Sequence, residues 1–267
     1  MALNPSGRWH QLTGNQLGIL LASHVISTYP PHRSLSKVAM LNSAVSTGML
    51  AAIAAKEGFH FDETLTGFKW LGNKTLELRD KGYDACFAFE ESIGYMFPAV
   101  IPDKDSISAA AVFITAMSRW RAREDLTPWG KLQDLYRTYG FFQEANTYLI
   151  SPKPELTKEI FNVIRHTTIP HPAMLGRRRI LRWRDLTEGY DSATGGLPAL
   201  PVSKDSQMIT CELEGRVKLT ARGSGTEPKI KQCQADSLVE ARRGADDVLE
   251  DLKEEWFKPD ANGLVTE

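Results

Sequence analysis

Along the first half of the chain, apolar positions switch between a helical and a strand period. After Thr13-Gly14-Asn15, which can cap a helix, Leu17, Leu20, Leu21 and Ile26 recur at steps of three and four residues, the spacing of one helical face. Lys37 to Leu41 then reads as a strand. Ser46 and Thr47 precede an alanine-rich helix, Met49 to Lys56, which Gly58 ends, and a strand-like run from Phe59 to Leu65 follows. The alternation continues with a helix from Phe68 to Lys81, stopped by Gly82. Ala85-Cys86-Phe87-Ala88-Phe89 is almost continuously apolar, the pattern of a strand covered on both faces. Two more helices, Ile107 to Arg123 and Pro128 to Tyr139, complete this half, and such alternation predicts a layered α/β domain.

From Tyr139-Gly140 to Ile150 the helical period is lost, which places the domain hinge there and gives expected domains of 1–142 and 143–267. The second half has a helix near Pro154 to Arg165 and a stretch bearing Pro and Gly. Strands follow at Gln207 to Glu212, Val217 to Ala221 and Lys229 to Ala235, then a last helix from Leu238 to Phe257. The predicted fold class is therefore α/β: a layered domain followed by a smaller α+β domain with a mostly antiparallel sheet and a C-terminal helix. No internal repeat is evident.

Composition narrows the classes of function. A length of 267 residues suits two domains, and 42% apolar with 24% charged residues is the composition of a folded protein. Thirty-two basic against 33 acidic residues leave a formal charge of -1, so nothing pulls the whole chain toward nucleic acid or an anionic membrane, and any anion site must be local. The longest apolar stretch, Ile107 to Met117, falls far short of the ~20 residues of a membrane span, and the N-terminus has no secretory pattern. A cytoplasmic protein is expected. Cys86, Cys211 and Cys233 are odd in number and lack C-x-x-C spacing, which points to buried free thiols rather than a disulfide framework or a zinc site.

Four clusters could carry chemistry. Arg222-Gly223-Ser224-Gly225-Thr226-Glu227-Pro228-Lys229 lies between two strand-like runs and suits a phosphate: a guanidinium fork, two hydroxyls, and glycines that let backbone N–H groups approach an anion. The same residue types also make an ordinary tight turn. Phe89-Glu90-Glu91-Ser92-Ile93-Gly94-Tyr95 follows the buried apolar strand, where α/β sheets place ligands; its carboxylates and hydroxyl suit sugar hydroxyls, or merely finish the strand. Thr66-Gly67-Phe68-Lys69-Trp70 and Asp103-Lys104-Asp105 put lysines where a phosphate could lie, although either is also an ordinary surface charge or helix cap. Asp103 and Asp105 alone are too few ligands for magnesium. Ala22-Ser23-His24 sets a hydroxyl beside an imidazole, but neighbours on a helix point in different directions, so it reads as structural.

In this order and spacing the clusters resemble the α-D-phosphohexomutase family, specifically its phosphoglucomutase/phosphopentomutase branch. Leu12-Thr13-Gly14-Asn15-Gln16-Leu17-Gly18 and Asp185-Leu186-Thr187-Glu188-Gly189-Tyr190-Asp191 extend the resemblance over nearly the whole chain. Members have four domains around one cleft, and this chain resembles the third, an α/β/α layer, and the fourth, a smaller α+β domain. By that resemblance Glu90 and Ser92 belong to the sugar-hydroxyl loop, Thr66, Gly67 and Lys69 to the loop that orients the sugar, and Lys104 is a cleft lysine. By the same resemblance Arg222, Ser224, Gly225 and Thr226 belong to the loop that grips the substrate's non-reacting phosphate.

The resemblance implies an isomerase that moves a phosphoryl group within glucose or pentose phosphates, using Mg²⁺, a sugar bisphosphate activator and a phosphoserine. Neither the phosphoserine loop nor the Asp-x-Asp-x-Asp metal loop of that family occurs here, and Met1 stands only a few residues before the third-domain motif. The expectation is recognition of sugar phosphates without turnover, no catalytic or metal residue in this chain, and a possible partner in a chain carrying the missing N-terminal domains. The alternative is a non-catalytic sugar-phosphate-binding or interaction module. Two departures touch the loops: Gly223 stands where Thr or Ala is common, and Ser106 follows Asp105 where Gly is usual.

Overall fold

Thr13 opens the first long helix with a capping box. Its hydroxyl accepts from the Gln16 N–H at 3.2 Å while the Gln16 amide oxygen accepts from the Thr13 N–H at 3.0 Å, satisfying donors that a helix start leaves unpaired. The computed structural model describes residues 2–4, 6–223, 233–235 and 238–266, and the chain forms two compact units, Met1–Gly140 and Phe141–Glu267. The division falls two residues before the expected 142/143 boundary because Phe141–Gln143 pairs into the second unit's sheet. Among the described residues no helix is long and apolar enough to cross a membrane.

The first unit runs β1 (Ala2–Leu3), β2 (Trp9–His10), α1 (Gly14–Thr28), a 3₁₀ turn (Leu35–Lys37), β3 (Val38–Ser43), α2 (Met49–Glu57), β4 (His60–Thr64), α3 (Phe68–Asp80), β5 (Asp84–Glu90), β6 (Gly94–Met96), α4 (Ser106–Glu124) and α5 (Pro128–Tyr139). Its main sheet has the order β4-β3-β5-β6, with β3 parallel to both β4 and β5 and only β6 antiparallel. All six residues of β3 are buried, as are Phe87 and Phe89 of β5, and each fully buried aromatic contributes about 1.5–3 kcal/mol. Gly18 lets α1 lie directly on β5: a Cβ there would come within 2.5 Å of the Phe89 ring. The three parallel strands end together at Ser43, Thr64 and Glu90, so the loops that follow them share one edge. Short β6 was not foreseen, since Gly94-Tyr95-Met96 reads as part of a loop.

The second unit contains β7 (Phe141–Gln143), β8 (Leu149–Ile150), α6 (Pro154–His166), β9 (Met174–Leu175), β10 (Arg178–Asp185), β11 (Tyr190–Asp191), β12 (Met208–Leu213), β13 (Val217–Arg222), β14 (Cys233–Ala235), α7 (Leu238–Asp251), a π-helical turn (Leu252–Phe257), α8 (Pro259–Asn262) and β15 (Val265–Thr266). Every described pairing is antiparallel, in the order β11-β10-β12-β13-β14-β7 with β9 on β10, and β15 pairs with β8 apart from it. The apolar faces of α6 and α7, through Phe161, Ile164, Ala245 and Val248, close over Trp183, Ile209, Cys211 and Leu219 of the sheet.

Two sequence expectations change here. β10 lies in the stretch read only as bearing Pro and Gly, because Arg178-Arg179-Ile180-Leu181-Arg182-Trp183-Arg184-Asp185 looks too charged for a strand. Its arginines are tolerated by pairing: Arg182 donates to Asp191 at 2.7 Å and to Glu212 at 3.0 Å. The predicted helix from Leu238 to Phe257 is not uniform either. α7 stops at Asp251 and the wider π turn carries Trp256 and Phe257 into the core, 7% and 3% exposed.

Asp185, at the end of β10, is 2% exposed and accepts from Arg165 Nε at 2.5 Å and Nη2 at 3.3 Å, while its Oδ1 also accepts from the N–H groups of Thr187 at 2.8 Å and Glu188 at 3.1 Å. Removing one partner of a buried pair strands the other. Asp185→Ala is therefore expected to cost about 3–5 kcal/mol in urea unfolding, with part of the loss recovered when Arg165→Met removes the stranded cation.

Asp251 behaves oppositely. Burial and then Glu255 push its carboxyl above the ordinary value, with smaller contributions from Asp247 and Glu254 and partial relief from Arg178. An acid whose folded pKa is raised costs stability while ionised; the cost is absent below the unfolded value of 3.8 and complete above the folded one. Asp251→Asn should raise the thermal midpoint at pH 7, and the gain should vanish as the pH is lowered toward 3.8.

Candidate functional site

The shared loop edge of the first unit is held by one carboxylate below and one above. Glu91 reaches inward: its Oε2 lies 3.3 Å from Ser46 Oγ and 3.4 Å from Ser43 Oγ, the two hydroxyls are 2.8 Å apart, and Ser46 Oγ accepts from the Glu91 N–H at 3.1 Å. Ser92 Oγ donates to the other Glu91 oxygen at 3.1 Å, which leaves the Ser92 lone pairs directed elsewhere. Glu90 turns to the neighbouring loop and accepts from the Gly67 N–H at 2.5 Å. The β4–α3 and β5–β6 loops are thus tied directly through Gly67 and Glu90, with Thr66 half-buried beside Gly67 and Ser92 exposed two residues beyond Glu90.

Helix α1 fixes that group from below. At Gly14 a Cβ would lie 1.9 Å from the Glu91 carbonyl oxygen, so only glycine allows this approach. Tyr95 donates its phenolic proton to the Gly14 carbonyl at 3.1 Å, and burial raises its pKa. Gly67 has φ +112, a conformation that suits glycine, and Ile93 is forced to φ 58 at the tip of the turn. Asn15 accepts from the Thr47 N–H at 3.0 Å, and Asn42 donates to the Thr47 carbonyl at 2.8 Å, so the β3–α2 loop is pinned as well.

The two candidate lysines are exposed. Lys69 sits in the first turn of α3 with Nζ 5.6 Å from the Trp70 ring centroid, a cation–π contact. Lys104 lies between β6 and α4, and the next residue joins the edge through the Asp105 N–H on the Tyr95 carbonyl at 3.0 Å. Asp105 is a helix cap: its oxygens accept from the Ile107 N–H at 2.9 Å and the Ser108 N–H at 3.3 Å, and its pKa is lowered, first by the Ser108 side chain and then by these backbone bonds. Asp103 accepts from the Lys104 N–H at 2.7 Å. This donor set does not fit a magnesium ion, and among the described residues no group of three or more His, Cys, Asp or Glu is arranged to hold a metal.

In the second unit Arg222 ends β13 opposite Met208, and the Gly223 N–H donates to the Gln207 carbonyl at 2.9 Å. A Cβ on Gly223 would lie 3.0 Å from Gln207 Cβ and 3.2 Å from Thr157 Cγ2, so this backbone has little room for the Thr or Ala common there in the resembling family. Ser224, Gly225 and Thr226 lie outside the described residues. The Asp185 to Asp191 motif proves structural, because both aspartates are committed to arginines.

Residues 13–139 match the family described as phosphoglucomutase/phosphomannomutase, alpha/beta/alpha domain III. The chain is 42% identical to the phosphoribomutase of Saccharomyces cerevisiae, over 98% of this chain and 45% of that protein. It is 41% identical to the human phosphopentomutase, over 85% and 38%, and 38% identical to the mouse glucose 1,6-bisphosphate synthase, over 98% and 44%. Solved structures share the fold: the phosphoglucomutase pp63/parafusin from Paramecium in its open form, with a TM-score of 0.58 and 15% identity over 92% of this chain and 43% of that one, is one example. A phosphoglucomutase/phosphomannomutase family protein from Burkholderia thailandensis is another, with a TM-score of 0.55 and 17% identity over 94% and 43%. The chain belongs to the α-D-phosphohexomutase family, and residues 13–139 form its alpha/beta/alpha domain III. It spans about half the length of the curated relatives it matches, 45% of the yeast protein.

Sequence reasoning missed Ser43, Ser46 and Glu91 as a unit. Ser46 and Thr47 looked like the start of α2, whereas the helix is capped from Gly48 without a side-chain bond and the Ser46 hydroxyl serves Glu91 instead. The Ser23-His24 pair is structural: His24 is 6% exposed, lies edge-on to Trp120, and has its pKa lowered by burial and by Arg119. Because the clash at Gly14 is with backbone, Gly14→Ala is expected to destabilise the chain by about 1–3 kcal/mol in chemical denaturation. The amide resonances of Glu91, Ser92 and Ile93 should move further than those of the second unit.

Proposed function

We propose that this chain supplies the sugar- and phosphate-recognising part of a phosphoglucomutase/phosphopentomutase-type reaction, an intramolecular phosphoryl transfer on sugar 1-/6- or 1-/5-phosphates, and does not turn over substrate alone. The observation that supports the reading is the Glu90–Gly67 bond at 2.5 Å, which ties the loop bearing Thr66 and Gly67 to the loop bearing Glu90 and Ser92 at the carboxyl edge of a parallel sheet. An acceptor-only carboxylate beside a hydroxyl with free lone pairs suits vicinal sugar hydroxyls. Lys69 and Lys104 add positive charge near the same edge. Arg222, with Ser224, Gly225 and Thr226, is assigned to the phosphate, where a planar fork matches a phosphate face better than an ammonium does.

Positioning accounts for much of the barrier reduction in phosphoryl transfer, so a recognition half matters to the reaction without performing it. No residue here is assigned to the transfer step. In the complete reaction Mg²⁺ and a sugar bisphosphate would act with a chain carrying the other half.

Backbone NMR titration with glucose 1-phosphate, ribose 1-phosphate and inorganic phosphate tests the reading. Submillimolar to millimolar binding is expected, because exposed loops leave the charge-assisted bonds screened by water. Arg222→Ala should abolish the response to all three ligands, and Arg222→Lys should restore only part of it. Glu90→Gln should weaken the sugar phosphates while sparing inorganic phosphate. Absence of shifts at about 30 mM glucose 1-phosphate, well above the expected range, would overturn the assignment, as would unchanged binding by Arg222→Ala. A coupled mutase assay with Mg²⁺ and bisphosphate should stay at the level of a heat-treated control, and turnover above it would refute recognition without catalysis.

A further inference from the structure

Glu91 is anchored by two buried hydroxyls. Ser43 and Ser46 lie 2.8 Å apart, so one of their two protons serves the bond between them and the other serves Glu91 Oε2, which is 3.4 Å from Ser43 and 3.3 Å from Ser46. Ser46 Oγ also accepts from the Glu91 N–H at 3.1 Å, and the Glu91 carbonyl lies against α1, where Gly14 has no room for a Cβ. Backbone and side chain of Glu91 are therefore both fixed to buried parts of the first unit. The other carboxylate oxygen, Oε1, is thereby presented to Ser92, whose hydroxyl donates to it at 3.1 Å.

A serine hydroxyl carries one proton and two lone pairs, and on its own it donates to a ligand or accepts from one with equal ease. Glu91 removes that choice. We infer that Glu91 is a positioning residue which, by holding the Ser92 proton, makes Ser92 an acceptor toward the ligand, so that the β5–β6 turn selects sugar phosphates by two hydroxyls that both donate, one to Glu90 and one to Ser92. A hydroxyl-to-carboxylate bond is about twice as strong as a neutral one, so turning the proton toward a neutral acceptor on the ligand loses more than it gains. Glu90 keeps Oε2 for the ligand, its Oε1 being taken by the Gly67 N–H. Two successive carboxylates at one strand end thus have separate tasks: Glu90 accepts from the ligand, and Glu91 accepts from the serine. The inference rests on the sugar-hydroxyl assignment of Glu90 and Ser92 and adds to it the direction of each bond.

The discriminating ligands are glucose 1-phosphates in which one ring hydroxyl at a time is replaced by hydrogen or by fluorine. Fluorine fills the space of a hydroxyl but has no proton. Against a fixed acceptor it sets lone pairs facing lone pairs and binds worse than hydrogen; against a donor it binds at least as well. In backbone NMR titrations of the whole chain, the fluoro analogue should bind about threefold or more weakly than the deoxy analogue at two ring positions. Ser92→Ala should abolish the difference at one of them, which identifies the position that Ser92 reads. There Glu91→Ala, which frees the Ser92 proton, should bring the fluoro-to-deoxy ratio of dissociation constants to one or below, while the other position keeps its ratio. Glu91→Gln, whose amide donates to Ser43 or Ser46 and whose carbonyl still accepts from Ser92, should retain the wild-type ratio. A Glu91 that only braced the turn would weaken both analogues alike and leave the ratio unmoved.

A wild-type ratio at or below one at the Ser92 position overturns the inference whatever the variants do, as does an unchanged ratio in a folded Glu91→Ala chain. If glucose 1-phosphate itself leaves the amide spectrum unmoved, the sugar-phosphate reading fails and this one with it. If glucose 1-phosphate binds and fluorine is tolerated at every ring position, only the direction assigned to the Ser92 and Glu90 bonds is wrong.

Discussion

The approach of α1 to the Glu91 carbonyl, too close at Gly14 for any side chain, is the contact on which the loop edge of the first unit depends. It sets the height of the β5–β6 turn above the sheet, and with it the positions of Glu90, Glu91 and Ser92. A carboxylate this close to a buried strand end needs partners from the protein, and Ser43, Ser46 and Ser92 provide them for Glu91. Glu90 is then left to join the adjacent loop through the Gly67 N–H, where φ +112 presents the backbone donor. One helix start thereby fixes two loops.

The second unit solves a related problem with charge. β10 carries arginines on a central strand, a placement that costs stability unless each cation finds a carboxylate. Asp191 and Glu212 meet that need for Arg182, whereas Asp185, itself at the end of β10, is held by Arg165 of α6 and collects the Thr187 and Glu188 N–H groups at the following turn. A segment that in sequence only extends the family resemblance is thereby tied into the fold. What it leaves near the end of β13 is Arg222, followed by a glycine in a crowded place between Gln207 and Thr157.

Much of the architecture was legible because its signals are local. Thr13 and Gln16 write the start of α1, Gly58 and Gly82 end α2 and α3 in left-handed backbone, and the apolar run of β5 marks a strand buried on both faces. The features that escaped depend on distant partners. β10 looked too charged because its neutralising residues lie at Asp191 and Glu212, and the π turn after Asp251 is set by where Trp256 and Phe257 must land in the core. The residues of the loop edge were legible as separate clusters at strand ends. Their connection was not, since Ser46 resembles a helix cap in sequence and becomes a partner of Glu91 only when β3 and β5 lie side by side.

The same distinction bears on α4. Its sequence reads as one of several layered helices, and the alanines and isoleucines of Ser106–Glu124 could all have been spent on the sheet. A helix on a sheet buries little more than a third of its circumference, so a helix apolar around more than half of it has more apolar surface than its own unit can cover. Here Ala109, Ala116 and Trp120 account for the inward side, and Ile107 and Ile114 remain in water. Within a single folded unit that exposure has no compensation: it lowers solubility and adds nothing to the core.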